Sequence, residues 1–167
     1  MPVAAERKRE LKQRRSPLPF LLALSAWLLS WPALALPPLQ PWIDVTPAGG
    51  TLKPPPGSYA GPVIITRAMV LDGDGQVTID GGGTGTVLTL HGSGATLRGL
   101  RIVGSGGSHD KVDSGILVEG DGNTIEGNTV EDVLFGITLH QANDNRLLRN
   151  VIRSRPHDVA EDRKSVV

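Results

Sequence analysis

Apolar and polar residues alternate in short segments along the middle of the chain, and glycine, asparagine or aspartate interrupts each segment. The segments 115–119 and 136–140 both start with Gly-Ile and continue with this alternation. Alternation with a period of two places every second side chain on the same side of an extended backbone, so these segments predict β-strands with one buried side. No sustained period of 3.6 residues follows residue 35, and the pattern therefore predicts a mainly β fold.

The strand segments recur at a nearly constant interval. The two Gly-Ile segments begin 21 residues apart, and Asn128 and Asn150 are 22 residues apart. A weaker copy occupies residues 87–102, and three short apolar segments within residues 63–79 look like the strands of an opening turn. A repeat of this length without helices is typical of a parallel β-solenoid, in which successive coils lie about 4.8 Å apart. We expect about four coils within residues 63–160.

Glycine and asparagine mark the predicted corners between strands. Glycine adopts positive φ without steric cost, and asparagine tolerates that conformation and can hydrogen-bond to the matching residue one coil away. We therefore expect both residue types to serve the architecture. The glycines are Gly73, Gly75, Gly92, Gly94, Gly120 and Gly122, and the asparagines are Asn123, Asn128, Asn145 and Asn150.

Two segments depart from the repeat. Residues 104–113 lengthen one coil, so that Val87 to Ile116 takes 29 residues instead of about 21. They predict a loop that protrudes from a corner. In solenoid proteins, functional residues often lie in such inserted loops. Residues 36–62 are rich in proline, and we expect them to form a cap over the first coil.

The first 35 residues predict a secretory signal peptide. Six basic residues lie within residues 7–15, an apolar segment covers residues 18–31, and Ala33-Leu34-Ala35 provides a cleavage site, which we place after Ala35. The alternative is an uncleaved membrane anchor, but the apolar segment is shorter than the roughly 20 residues that a spanning helix needs. We therefore expect an exported protein.

Residues 161–167 are not expected to belong to the native protein. One DNA encoding of Asp162–Val167 resembles a common sequencing adapter, and an ordinary polar tail is the alternative. We expect the native part of this chain to end near Ala160 and to be an N-terminal fragment of a longer protein.

Charge and cysteine content exclude several function classes. The whole chain has 17 basic and 17 acidic residues, whereas residues 36–160 have 9 basic and 13 acidic residues, a net charge of −4. A mildly acidic body argues against nucleic-acid binding. The absence of cysteine excludes disulfides, thiolate metal sites and a cysteine nucleophile.

One set of side chains could bind a metal ion. His91, Glu119 and His140 occupy matching positions in three successive coils, and each is expected to point outward at the end of a strand. Imidazole suits copper, zinc and nickel, although the two histidines would lie nearly 10 Å apart. The alternative is three solvated polar residues. We predict a metal site at these three residues and no catalytic or cofactor-binding residue.

Two further histidines have acidic neighbours. His109 in the loop is close in sequence to Asp110 and Asp113, which gives a second potential metal site. The segment Arg155-Pro156-His157-Asp158 contains a His-Asp pair that could serve acid–base catalysis, or else forms an ordinary loop. No nucleophile elbow, phosphate-binding loop or zinc-protease motif is present.

Several motifs resemble the family of the nitrous oxide reductase maturation protein NosD. The most specific match is the segment 127–137, Gly-Asn-Thr-Val-Glu-Asp-Val-Leu-Phe-Gly-Ile, and the resemblance covers about residues 54–160. Other matching motifs are Pro56–Tyr59, Ile79–Gly83 and Leu97–Gly106.

This resemblance implies a right-handed parallel β-helix of the pectin-lyase-like type, located in the periplasm. It implies a non-enzymatic role in supplying or assembling the copper–sulfur centre of nitrous oxide reductase during denitrification, with copper binding. The implied partners are the reductase and an inner-membrane ABC transporter, with membrane contact only through partners. The alternative is a polysaccharide-binding protein, lyase or epimerase; mannuronan epimerases carry an Asp-Pro-His-Asp motif, in which this chain has Arg155 at the first position.

Overall fold

The computed structural model describes residues 35–155, and they form one short helix and twelve strands. Among these residues no helix is long and apolar enough to cross a membrane. The predicted signal peptide, apart from Ala35 itself, and the tail at 161–167 lie outside the described residues. The elements are α1 (Gln40–Val45), β1 (Thr51–Leu52), β2 (Gly57–Ala60), β3 (Val63–Ile65), β4 (Val70–Asp80), β5 (Leu88–Leu90), β6 (Thr96–Val103), β7 (Ser114–Val118), β8 (Thr124–Glu126), β9 (Thr129–Val133), β10 (Phe135–Leu139), β11 (Arg146–Leu148) and β12 (Val151–Ser154).

Every pair of neighbouring strands is parallel. One sheet has the order β3-β5-β7-β10, and the other has the order β1-β4-β6-β8-β11, with β2 beside β4 and β9 and β12 continuing outward from β6. The long strands β4 and β6 each span two sides of a coil. Their pairing is interrupted between Asp72 and Val77, where β4 turns from one side to the next. The strands therefore form a parallel β-solenoid of about four turns, which confirms the predicted fold class.

The core consists of apolar side chains stacked in register along the solenoid. Leu71 pairs with Leu97 and Leu97 with Ile125, and all three are fully buried. Leu88 and Leu90 form a second stack with Ile116 and Val118, as the period-two alternation predicted. Burying one such side chain stabilises the fold by roughly 1.5–3 kcal/mol, so the repeat itself supplies most of the cohesion between coils.

Helix α1 covers the first strand of the β3-β5-β7-β10 sheet. The Gln40 side-chain amide accepts a hydrogen bond from the Ile64 N–H at 2.8 Å and donates one to the Ile64 carbonyl at 3.0 Å, so it replaces a neighbouring strand. Leu39 and Ile43 are buried beneath the helix. The Arg67 guanidinium holds the helix end by donating to the carbonyls of Ile43, Asp44 and Thr46 at 2.6–2.9 Å.

The predicted corner glycines belong to two physical classes. Gly75, Gly94 and Gly122 have φ between 63° and 73°, as expected. Gly73, Gly92 and Gly120 do not have positive φ, which corrects the prediction for them. They are glycine because a Cβ would overlap the backbone of the neighbouring coil, which for Gly120 is the carbonyl of Gly92.

The asparagines link successive coils, as predicted. Oδ1 of Asn145 accepts from the Asn123 N–H at 2.8 Å, and Oδ1 of Asn150 accepts from the Asn128 N–H at 3.0 Å. Their backbone does not adopt positive φ; the residue before each one does instead, including Arg149 at 53°. The αL position therefore lies one residue earlier than the sequence suggested.

Candidate functional site

The 104–113 loop is anchored at both ends and exposed only in its middle. Ser105 is fully buried, and its hydroxyl accepts a hydrogen bond from the Leu134 N–H at 2.9 Å. Asp113 is also buried, and its Oδ2 accepts from the Ser108 N–H at 2.9 Å. Only residues 107–112 project from the solenoid, and their position is set by these buried ends.

Val112, the last residue of the projecting part of this loop, has an unfavourable backbone conformation. Its φ is 52°, in the left-handed region that a β-branched residue rarely adopts. Two hydrogen bonds hold it there, from the Val112 N–H to the His109 carbonyl at 3.1 Å and from the Ser114 hydroxyl to the Val112 carbonyl at 2.7 Å. Strain of this kind persists where the surrounding structure enforces it, and it is enriched at functional sites.

A cavity of about 300 Å³, which we term the loop groove, lies between the loop and the ends of the strands β7 and β10. It combines apolar walls with a cation, a carboxylate and an imidazole, so it can contact a small polar ligand or a peptide side chain. Its lining residues are Lys111, Val112, Leu117, Glu119, Thr138, Leu139 and His140.

The structure brings His91, Glu119 and His140 together in the predicted order. Nδ1 of His91 contacts Oε2 of Glu119, and Nδ1 of His140 lies 3.8 Å from Oε1 of the same carboxylate. All three side chains are accessible to solvent, and Glu119 and His140 also line the loop groove. We term this set the His–Glu–His row.

The row does not converge on a single point. Among residues 35–155, no group of three or more His, Cys, Asp or Glu side chains has the arrangement of a metal site. The cause is the coil spacing, since coils about 4.8 Å apart place the two imidazoles on opposite sides of Glu119. Nitrogen and oxygen donors suit copper(II), but these residues do not fit one ion held by all three. The metal assignment stays a prediction.

The two other histidine candidates have different surroundings. The His109 ring packs edge-on against Phe135, with centroids 5.8 Å apart, while Asp113 is engaged within the loop. Arg155 donates from Nε to Oδ1 of Asp132 at 2.8 Å and from Nη2 to the Ser105 carbonyl, so it links two coils and the loop. His157 and Asp158 lie outside the described residues.

A second concave surface, of about 480 Å³, follows a corner of the solenoid and is lined by charged side chains. Asp72 accepts from Arg98 Nη2 at 2.8 Å, and Arg149 forms an ion pair with Glu126. Burial opposes ionisation of Asp72, but the Asp74 N–H and the Arg98 guanidinium outweigh it, so the pKa of Asp72 is lowered. This surface therefore consists of mutually compensating charges.

The lowered pKa of Asp72 predicts an acid-dependent contribution to stability. A carboxyl group with a lowered pKa in the folded state stabilises the protein above its unfolded value of about 3.9, and this contribution is lost as the pH falls through the folded value. Asp72→Asn is expected to lower the free energy of unfolding by at most about 1 kcal/mol at pH 7, because Arg98 is half-exposed. The difference should shrink in urea titrations as the pH falls below the unfolded value of about 3.9. Asp110→Asn, in the exposed part of the loop, is the control; a pH-independent difference for Asp72→Asn would contradict the assignment.

Charge alternates from coil to coil, a pattern that the alternation and repeat of the sequence did not predict. Glu131 contacts Arg101 through Oε1 at 2.6 Å and Arg153 through Oε2 at 3.4 Å, which is the same arrangement as the His–Glu–His row. The signal was present in the repeat, since Glu131 and Arg153 are separated by one 22-residue period. It becomes visible only when charged residues are compared at matching coil positions.

A curated protein of Pseudomonas aeruginosa, named probable ABC transporter binding protein NosD, is similar to this chain. The two are 32% identical over 109 residues, which are 64% of this chain and 26% of the relative. The chain thus spans about a quarter of that relative's length. No protein-family model matches the chain, and no solved structure gives a significant match. The comparison supports a NosD-like chain and no closer assignment.

Proposed function

We propose that this chain belongs to a NosD-like accessory protein that takes part in the maturation of nitrous oxide reductase. The observation that carries the proposal is the 32% identity to NosD over 109 residues, together with a solenoid that offers extended surfaces for protein contacts. The role is non-enzymatic: the protein assists the supply or assembly of the copper–sulfur centre of the reductase. The name of the relative is consistent with association with an ABC transporter, and the proposed partner is such a transporter in the inner membrane.

The proposed location is the periplasm, reached by means of the signal peptide at residues 1–35. There the loop groove would receive part of a partner protein, because it is the concave surface formed by the inserted loop and held in place by buried anchors. Copper, as cargo, would contact Glu119 and one of the two imidazoles of the His–Glu–His row at a time, since these imidazoles lie on opposite sides of the carboxylate.

The accessory role is tested by deleting the complete gene in the organism that encodes it. We expect purified nitrous oxide reductase from the deletion strain to lose most of its copper and activity, and a plasmid copy of the gene to restore both. Metal content per reductase polypeptide and the rate of nitrous oxide reduction are the measurements. Fully loaded, active reductase from the deletion strain would defeat the proposal.

The copper contact is tested separately on the purified chain. Titration with Cu²⁺, followed by isothermal calorimetry, should give binding that weakens at least tenfold in the double variant His91→Ala, His140→Ala. His109→Ala is the matched control, because this histidine lies outside the row and packs against Phe135. Unchanged Cu²⁺ affinity in the double variant would reject the row as a copper contact. It would leave the proposed accessory role unaffected.

A further inference from the structure

Lys111 differs from most basic side chains within residues 35–155, because no carboxylate or carbonyl of these residues bonds its ammonium group. Lys111 lines the loop groove, whereas Arg146, the other basic side chain without such a partner in this range, lies on β11 and does not line it. The loop groove therefore contains a cation that the described part of the chain does not neutralise. The basic side chains that do contact a carboxylate or a backbone carbonyl are Lys53, Arg67, Arg98, Arg101, Arg149, Arg153 and Arg155.

The loop holds the backbone of Lys111 in place. The Ser108 hydroxyl accepts a hydrogen bond from the Lys111 N–H at 3.3 Å, and the Ser108 N–H donates to the buried carboxylate of Asp113. On the other side of Lys111, the Val112 N–H donates to the His109 carbonyl at 3.1 Å. Because a preorganised backbone loses less conformational entropy when a ligand binds, position 111 is well placed for recognition.

The carboxylate in the loop groove already has neighbours of opposite character. Oε2 of Glu119 contacts Nδ1 of His91, and Oε1 of Glu119 lies 3.8 Å from Nδ1 of His140. Glu119 thus has an imidazole on each side, and its charge is less available to a ligand than the charge of Lys111. The ligand that complements the loop groove is therefore an anion.

The walls of the loop groove beside Lys111 are aliphatic. Val112 and Leu117 line the groove, and β7, which carries Leu117, lies between β5 and β10 in its sheet. Such walls stabilise a ligand that buries apolar surface of its own, so they favour a carboxylate on an aliphatic chain over a free inorganic anion. A volume of about 300 Å³ is at the lower end for ligand sites, which suits a short segment of a protein.

We propose that the loop groove binds a glutamate or aspartate side chain in a short acidic segment of the partner protein, with an aliphatic residue beside it. The carboxylate binds the Lys111 ammonium group, and the aliphatic side chain packs on Val112 and Leu117. This proposal rests on the proposed function, because it gives the chemistry of the partner segment that the groove receives. A basic segment is disfavoured, since it would bring a second cation to Lys111.

A second copy of this chain is a poorer occupant of the loop groove. Its described glutamates do follow aliphatic residues, but each lies in a strand or directly after one and is held by a neighbouring coil. Glu119 contacts His91, Glu126 forms an ion pair with Arg149, and Glu131 binds Arg101. None of these carboxylates can leave its coil as a short free segment, so a separate partner fits the groove better.

The test compares two blocked peptides, acetyl-Leu-Glu-Leu-amide and acetyl-Leu-Lys-Leu-amide, as probes of the purified full chain. EDTA is present, so that no metal ion contributes to binding, and the chemical shifts of the backbone amides in residues 107–119 report it. We expect the glutamate peptide to bind about tenfold more tightly than the lysine peptide, and Lys111→Glu to reverse this preference. Arg146→Glu is the matched control, because it makes the same change of charge outside the groove and should leave both affinities within about twofold.

Several outcomes would overturn the proposal. They are equal affinities for the two peptides, no binding of the glutamate peptide, and equal losses in Lys111→Glu and Arg146→Glu. Sedimentation of the parent chain covers the second copy: self-association that Lys111→Glu abolishes would also overturn the proposal. None of these outcomes affects the accessory role, because the deletion strain tests that role without the peptides. A deletion strain with fully loaded reductase would defeat the accessory role while leaving the measured peptide preference intact.

Discussion

Gly120→Ala is expected to lower the free energy of unfolding by about 3 kcal/mol, because the new methyl group has no space between two coils. The Cβ would overlap the carbonyl oxygen of Gly92 in the preceding coil. The two backbones cannot separate freely, since the Leu90 carbonyl accepts hydrogen bonds from the N–H groups of both Glu119 and Gly120, at 2.8 and 3.1 Å. Urea denaturation followed by circular dichroism measures the effect.

Gly107→Ala is the matched control for this prediction. Gly107 lies in the exposed part of the loop, and a Cβ there meets no atom within 4 Å. Its replacement should change the free energy of unfolding by less than about 1 kcal/mol. Equal effects of the two substitutions would mean that coil spacing does not limit the size of the residue at position 120.

Asn128→Ala is expected to destabilise the solenoid by a similar amount. Asn128 is almost fully buried; its Oδ1 accepts from the Leu100 N–H at 3.0 Å, and its Nδ2 donates to the Leu97 carbonyl at 3.1 Å. Alanine would leave both backbone groups buried without these partners. A buried unpaired polar group costs about 1–3 kcal/mol, so the two together should cost about 3 kcal/mol.

An exposed asparagine provides the comparison. Asn143 donates from Nδ2 to Oδ1 of Asp121 at 3.3 Å on the solvent side of the same stack of coils. Asn143→Ala should therefore change the free energy of unfolding by less than about 0.5 kcal/mol. If the urea midpoints of Asn128→Ala and Asn143→Ala coincide, the buried asparagine does not stabilise the contact between coils.

The fold was predictable because both of its signals, the alternation within strands and the repeat length, can be read from the order of residues along the chain. Alternation in segments such as 115–119 marks the inward side of a strand, and a constant repeat length forces successive strands into parallel register. Helix α1 was not predictable from periodicity, because six residues are too few to display a 3.6-residue period. Arg149 illustrates another limit: an arginine gives no local sign of positive φ, although its counterpart Gly127 one coil earlier does.

The candidate site was predictable only in part. Register alone places His91, Glu119 and His140 in a row, so the repeat was sufficient to order them. The loop groove depends on the path of residues 104–113, which is set by the buried contacts of Ser105 and Asp113 and by the φ of Val112. None of these features produces a periodic pattern in the sequence, so the loop groove could be identified only from the structure.

The attachment of α1 by Arg67 and Gln40 has a consequence for the order of folding. The helix and the strands β1 to β4 precede the later coils in the chain, so a finished edge is available for each later coil to pair with. Each coil contacts mainly its neighbours, and assembly can therefore proceed from the N-terminal end of the solenoid. A partly folded chain with one covered edge and one growing edge has fewer ways to pair its strands with those of another such chain.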